Sequence, residues 1–231
     1  MKDPKTSLDV PGGGSTQPGA GKLHRTIVTL LTLSRLPLIF AFAAGAVAAE
    51  HFGGAWLPWI AGFFMGSSGI SDFFDGKLAR KWGVVSAFGK MADPLMDKVF
   101  FIVVFPTFQW LIGVQGENRV HAILMLVFTI LWILRDQWVT FLRSVASHYG
   151  ADVSAQWLGK VRTALSFPAS GFIYAYLSLH NVLPECCRID LWGRYWLWAV
   201  YAVETFLILL NAYSCFVYTK SYLPYLRRST T

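Results

Sequence analysis

"SDFFDGKLARKWGVVSAFGKMADPLMDKV", residues 71–99, sets four aspartates among aromatic and aliphatic side chains. Asp72 and Asp75 are three apart, and Gly76 and Ala79 follow one and four residues beyond Asp75. On a helix, positions 72, 75, 76 and 79 share a face, so two carboxylates lie beside two residues with almost no side chain. Such a face admits a large polar ligand. Asp93 and Asp97 are four apart and share a face in the same way. Between the pairs, KWGVVSAFGK (81–90) contains Gly83 and Gly89, which can end one helix and return the chain. Pro94 then fits an early turn of the second helix, where a missing N–H costs little. The spacing predicts a helical hairpin on which four carboxylates converge.

Four anions in a low-dielectric setting repel one another unless they are protonated, paired or bound to cations. Lys77, Arg80, Lys81, Lys90 and Lys98 are close in sequence but project mostly at other angles. A purely structural salt-bridge web would also not need glycine and alanine on the acidic face. All-carboxylate ligation favours hard cations, Mg²⁺ or Mn²⁺, and Asp72, Asp75, Asp93 and Asp97 could hold two of them. Paired divalent ions are a usual clamp for phosphoryl chemistry. Any one of these aspartates alone reads more simply as a helix cap or an interfacial charge; the set of four does not.

Outward from this stretch, the 231-residue chain is 55% hydrophobic and 14% charged, unlike ordinary soluble domains. Apolar runs cover 27–49, 56–70, 99–114, 120–142, 164–183 and 191–218. A membrane helix needs about 20 such residues. The second and third runs reach that length only if the aspartate segment continues them as helix. The expectation is an all-α, polytopic membrane protein with six transmembrane helices over 23–231. The outer connections, near Glu50, Glu117 and 184–194, hold only Arg119, Arg188 and Arg194 of the 20 basic residues. That asymmetry puts the amino terminus and the aspartates on the cytoplasmic side. Membrane lipids are then the natural partner of the +7 net charge. No basic run is interleaved with exposed aromatics, so no nucleic acid partner is expected. Tryptophans 56, 59, 110, 192, 196 and 198 fall near the proposed outer ends, as interfacial indoles do.

Residues 1–22 are rich in Gly, Pro, Ser and Thr, have no apolar period, and read as a disordered cytoplasmic tail. The apolar run that follows is too long for a signal-peptide core and carries Arg35 inside it. Cys186, Cys187 and Cys215 match neither a zinc site nor a disulfide framework.

The run Asp72-x-x-Asp75-Gly76-x-x-Ala79-Arg80, eight residues, then Gly89-x-x-x-Asp93-x-x-x-Asp97, resembles the signature of the CDP-alcohol phosphotransferases at every fixed position. The resemblance implies a six-helix membrane enzyme. It implies that Asp72, Asp75, Asp93 and Asp97 bind two divalent ions and that Asp97 is also the general base. It implies that Gly76, Ala79, Arg80 and Gly89 border the CDP moiety, with Arg80 on the diphosphate and Ser86 offering a hydroxyl to the nucleotide. TLLTLSR (29–35) is similar to the family's first-helix segment facing the nucleotide, which carries Thr32 and Arg35 over as CDP-binding; Thr29 stands where the family often has Asn.

The acceptor is suggested by RDQWVTFLRSVASHYGADVSAQWLGKVRT (135–163). It puts Arg135, Arg143, Lys160 and Arg162 near the inner ends of two consecutive helices, a plausible pocket for an acceptor phosphate. For Arg162, ordinary positive-inside flanking explains the charge equally well. The stretch also resembles the phosphatidylglycerophosphate synthase subfamily pattern Arg-Glu-x-x-Val-Thr-x-x-Arg and Gly-Lys-x-Lys-Thr, with Asp136 for Glu and Arg162 for Lys. The expected reaction is then transfer from CDP-diacylglycerol to glycerol 3-phosphate, and homodimerisation, common in the family, is a further expectation. The alternatives are a cardiolipin or phosphatidylinositol-phosphate type of synthase and, from a different class, a cation-coupled transporter, although all four acids lie in one half of the chain.

Overall fold

The computed structural model describes residues 18–116, 119–151, 157–182 and 191–229. These form six helices and, among the described residues, no strand: α1 (Pro18–Phe52), α2 (Leu57–Lys81), α3 (Ala87–Gln115), α4 (Arg119–His148), α5 (Trp157–Val182) and α6 (Leu191–Ser229). The boundary expected at residue 22 falls inside α1, so residues 18–22 are helical. Residues 1–17, Cys186, Cys187 and Arg188 lie outside the described residues.

Among the described residues, four segments are long and apolar enough to cross a membrane: Gly21–Phe52, Met91–Gln115, Arg119–His148 and Tyr195–Arg228. The protein is therefore a multi-pass membrane protein. As expected, the aspartate segment continues the 99–114 run as helix and brings α3 to full length; against expectation α5 is not among the four. The reason is compositional: α5 mixes Ser166, Pro168, Ser170, Gly171 and Ser178 among its apolar residues. α2, at 25 residues, spans about 37 Å at 1.5 Å per residue but carries Asp72, Asp75, Lys77, Arg80 and Lys81. It lies against α1 in the largest helix–helix contact of the bundle, followed by α4 against α6.

The turn between α2 and α3 follows from its glycine. Gly83 takes φ +63°, and the N–H groups of Gly83 and Val84 return to the carbonyls of Arg80 and Ala79 at 3.3 and 3.0 Å. This pair of bonds satisfies two carbonyls that the helix end would otherwise strand. Ser86 then caps α3, its Oγ accepting from Gly89 N at 3.0 Å. Because the cap is Ser86, Gly89 lies in the first turn rather than ending a helix. For the same reason Pro94 lies inside α3, seven residues past its first residue, and not in an early turn.

Phe42, Phe105, Phe108 and Phe128, each almost wholly enclosed, centre a core drawn from α1, α3 and α4, with Ile173 of α5 and Leu207 of α6 closing it. Large apolar side chains such as Phe40, Phe63, Ile123 and Phe216 face outward, as lipid contact allows. Lipid tails are as apolar as leucine, so close approach and polar pairs must hold such helices together. A Cβ built on Gly45 would stand 3.2 Å from that of Ala61, a tight approach of α1 to α2. Toward the end of the bundle away from the aspartates, His121 Nε2 of α4 and Glu204 Oε1 of α6 are 2.8 Å apart, with side chains 3% and 0% exposed. Replacing Glu204 by alanine strips buried His121 of its carboxylate and should cost on the order of 1–3 kcal/mol. Glu204→Gln should recover most of the loss in detergent melting temperature. An unchanged Glu204→Ala melt would mean that the pair contributes nothing.

Candidate active site

All four signature aspartates converge, and what they converge on is Arg35. From α1, its Nη1 lies 2.6 Å from Asp72 Oδ1 and 3.6 Å from Asp97 Oδ1. Its Nη2 lies 2.7 Å from Asp75 Oδ2 and 3.3 Å from Asp93 Oδ1. One turn earlier, Thr32 Oγ1 donates to Asp75 Oδ2 at 2.8 Å. α1 and α2 are tied again where Ser71 Oγ donates to the Leu31 carbonyl at 3.0 Å. The hairpin thus delivers two acids from each of its helices, and α1 answers them with one guanidinium.

The four acids are not equivalent. Asp75, 3% exposed, is sealed behind the others with Arg35, also 3% exposed. Asp72, Asp93 and Asp97, between a third and a half exposed, form the floor of a cavity of about 800 Å³. That volume is in the range of ligand pockets. Among the described residues, no three acidic, His or Cys side chains close on a common point as a ready metal cage. The donor chemistry nevertheless fits hard divalent ions: three cavity-facing carboxylates and a fourth behind them, all oxygen.

Beside this acidic floor, the same cavity is also lined by basic residues. α4 supplies Arg135 and Arg143, and α5 supplies Lys160 and Arg162. The four residues expected to hold an acceptor phosphate are therefore brought together beside the acids. They divide into two kinds. Arg135 and Arg162 are buried and already engaged. Arg162 reaches Asp136 Oδ1 at 3.0 Å and Asn211 Oδ1 at 3.1 Å, and lies 3.8 Å over the ring of Trp132. Arg135 donates to Ser214 Oγ, stands 3.6 Å from Asp136 Oδ1 and covers the Tyr218 ring at 4.9 Å. Arg143 is half-buried and Lys160 exposed, so of the four these two are the more accessible from the cavity.

A match to a family model settles the family: the model described as CDP-alcohol phosphatidyltransferase covers residues 25–212. The chain belongs to that family. Curated relatives of the chain include proteins named CDP-diacylglycerol–glycerol-3-phosphate 3-phosphatidyltransferase from three bacteria. The one from Mycoplasma genitalium is 33% identical over 157 residues, which cover 64% of this chain and 61% of that protein. Those from Salmonella typhimurium and Escherichia coli (strain K12) are 30% and 29% identical over 149 residues, 64% of this chain and 75% of each relative. The match spans about six-tenths of the Mycoplasma relative's length.

The residues expected to border CDP are disposed differently from the acids. Gly76, Ala79, Arg80, Ser86 and Gly89 are not among the residues lining the 800 Å³ cavity. Gly76, Ala79 and Arg80 continue α2 past Asp75 toward the α2–α3 turn, and Ser86 and Gly89 stand at the start of α3, so they extend the site in that direction. Arg80 is exposed, its guanidinium lying against the bare backbone of Gly76, where an added Cβ would be 3.6 Å away. Ser86 spends its oxygen on capping α3. Thr32 and Arg35, expected at the nucleotide, are turned onto the aspartates.

Sequence reasoning missed the centre of the basic wall. Asp136 joins three cations: Arg162, Arg135 and, through Oδ2 at 3.3 Å, Lys98 of α3, which also donates to Thr140 Oγ1 at 3.0 Å. It also missed α6, read as generically apolar, whose Asn211, Ser214 and Tyr218 form a polar stripe at helical spacing against both arginines. That i, i+3, i+7 pattern was the available signal. Tyr218 explains the glycine before Lys160 as well. A Cβ on Gly159 would fall 2.6 Å from the Tyr218 hydroxyl, so any larger residue there would have to displace the buried Tyr218 side chain.

Proposed function

We propose that the chain transfers the phosphatidyl group of CDP-diacylglycerol to sn-glycerol 3-phosphate, giving phosphatidylglycerophosphate and CMP. The observation that carries this reading is the single cavity with an acidic floor and a basic wall, Asp72, Asp93 and Asp97 alongside Arg143 and Lys160. The printed names of the bacterial relatives support the same pair of substrates. The site faces the cytoplasm of a bacterial inner membrane in this proposal, because the Lys- and Arg-rich helix ends gather on its side.

The acceptor hydroxyl has a pKa far above 7, so it must lose its proton as it attacks the phosphorus that bears the diacylglycerol. Asp97 takes that proton. A new phosphorus–oxygen bond forms as the one to CMP breaks, and CMP leaves as the anion. Asp72, Asp75, Asp93 and Asp97 would hold two divalent ions, Mg²⁺ or Mn²⁺, whose charge neutralises the diphosphate when bound. Arg143 and Lys160 hold the acceptor phosphate, which fixes its hydroxyl toward the acids and makes the attack effectively unimolecular. The cavity suits two polar headgroups, and the acyl chains stay among the outward-facing apolar side chains.

The direct test is CMP release by purified protein with CDP-diacylglycerol, Mn²⁺ or Mg²⁺, and a panel of acceptors. Glycerol 3-phosphate should be preferred over phosphatidylglycerol, inositol phosphate and glycerol. Cation-driven uptake into vesicles without CMP release would instead favour a transporter. Arg143→Ala should raise KM for glycerol 3-phosphate by roughly tenfold, the worth of one charge-assisted contact of about 1.4 kcal/mol. KM for CDP-diacylglycerol should move by less than about twofold. An equal effect on both substrates would remove Arg143 from the acceptor site.

A further inference from the structure

Arg35 interrupts the otherwise uncharged 27–49 run of α1, and burying a guanidinium in such a place is costly unless it is paired and hydrogen-bonded. Its partners are all four signature acids at 2.6–3.6 Å. Two explanations are open to a cation in that position. It could stand in for metal and be expelled on loading, or it could remain as a floor beneath the metal.

The geometry separates them. Arg35 is 3% exposed and does not line the cavity, whereas Asp72, Asp93 and Asp97 do. The guanidinium thus lies on the protein side of the carboxylates, and the approach from the cavity stays open. The Arg35 side is further closed by Thr32, which is buried and bonded to Asp75. Expulsion would require the side chain to pass through the layer of acids it holds. A planar fork is also suited to gripping several carboxylates at fixed angles, which a point charge cannot do.

We propose that Arg35 is a positioning residue, a permanent internal cation that holds the four carboxylates in register from behind and stays there when divalent ions load from the cavity side. This rests on the reading of Asp72, Asp75, Asp93 and Asp97 as metal ligands. Arg35 has two effects on the site. It reduces the repulsion that four acids would otherwise feel, and it fixes the side chains whose oxygens point to the cavity. Partners of this outer kind usually matter for metal affinity nearly as much as the ligands themselves.

The test needs no turnover. Mn²⁺ binding to the detergent-purified full chain is followed by loss of the free-ion electron paramagnetic resonance signal, alongside melting in EDTA. Arg35→Gln should weaken Mn²⁺ affinity by at least about tenfold, as loss of outer-shell partners does, and lower the melting temperature in EDTA. Arg35→Lys keeps the charge without the fork and should weaken affinity by about threefold, so the proposal stays testable if Arg35→Gln does not fold. Mn²⁺ affinity unchanged in Arg35→Lys, or unchanged or tighter in Arg35→Gln, overturns the role, the tighter result marking Arg35 as a competitor of the metal. No Mn²⁺ binding by the wild-type protein overturns the metal assignment and this role with it.

Discussion

On the proposed mechanism, in which Asp97 is both general base and metal ligand, Asp97→Asn should lower CMP release by about three orders of magnitude, within the range for losing a general base. Of the four acids, Asp97 is the least committed to Arg35, at 3.6 Å, and its Oδ1 has no hydrogen-bond partner. It also lines the cavity, where a reacting hydroxyl can reach it. Asparagine keeps the shape and removes both the charge and the ability to take the proton, so the melting temperature should stay close to wild type. Asp72→Asn and Asp93→Asn should behave differently: the Mn²⁺ concentration for half-maximal rate rises, and saturating metal restores part of the rate. Near-normal synthesis by Asp97→Asn would remove the assigned base, and a collapsed melting temperature would point to a structural acid instead.

The acidic hairpin was legible because its signals are local. Spacings of three and four put acids on a helix face, and Gly83 marks the reversal, which the structure makes with φ +63°. Pro94 was misjudged because the start of α3 depends on Ser86 acting as a cap, a choice that neighbouring glycines obscure. The basic wall was legible as a set of cations and not as an arrangement. Arg135, Arg143, Lys160 and Arg162 recur at the inner ends of two helices, but nothing local distinguishes the two that are buried against Asp136, Asn211 and Ser214 from the two that are more exposed. That division depends on α6, whose Asn211 and Ser214 are 49 and 79 residues from the arginines they meet.

The same limit applies to Arg35. Its position in the first apolar run was plain, and the resemblance suggested the nucleotide as its partner. Its actual partners are 37 to 62 residues away, on the two helices that pack beside α1. Four clustered acids create a strong demand for a buried cation, and that demand was recognised. The cation assigned to it was a divalent ion alone, because the basic residues weighed were those inside the hairpin itself.

Asp136→Ala should have the second large effect, and two opposing terms decide its sign. Removing a negative charge from the basic wall strengthens the field on an acceptor phosphate, which would lower KM. Against this, Asp136 holds Lys98, Arg135 and Arg162 around one carboxylate, and without it three neighbouring cations repel, two of them buried. Breaking a buried pair by removing one partner costs on the order of 3–5 kcal/mol. Asn211, Ser214 and the rings of Trp132 and Tyr218 retain part of the hold on the arginines, so about 3 kcal/mol of stability is the expected loss. The placement term should win, because the arginines fix the ends of α4 and α5 that carry Arg143 and Lys160. KM for glycerol 3-phosphate should then rise by roughly tenfold or more, equivalent to at least about 1.4 kcal/mol, with kcat less affected. Asp136→Glu should stay near wild type, since it keeps the carboxylate and adds only reach. Lower KM in Asp136→Ala, with the melt unchanged, would mean that the field dominates and that the three cations need no common anchor.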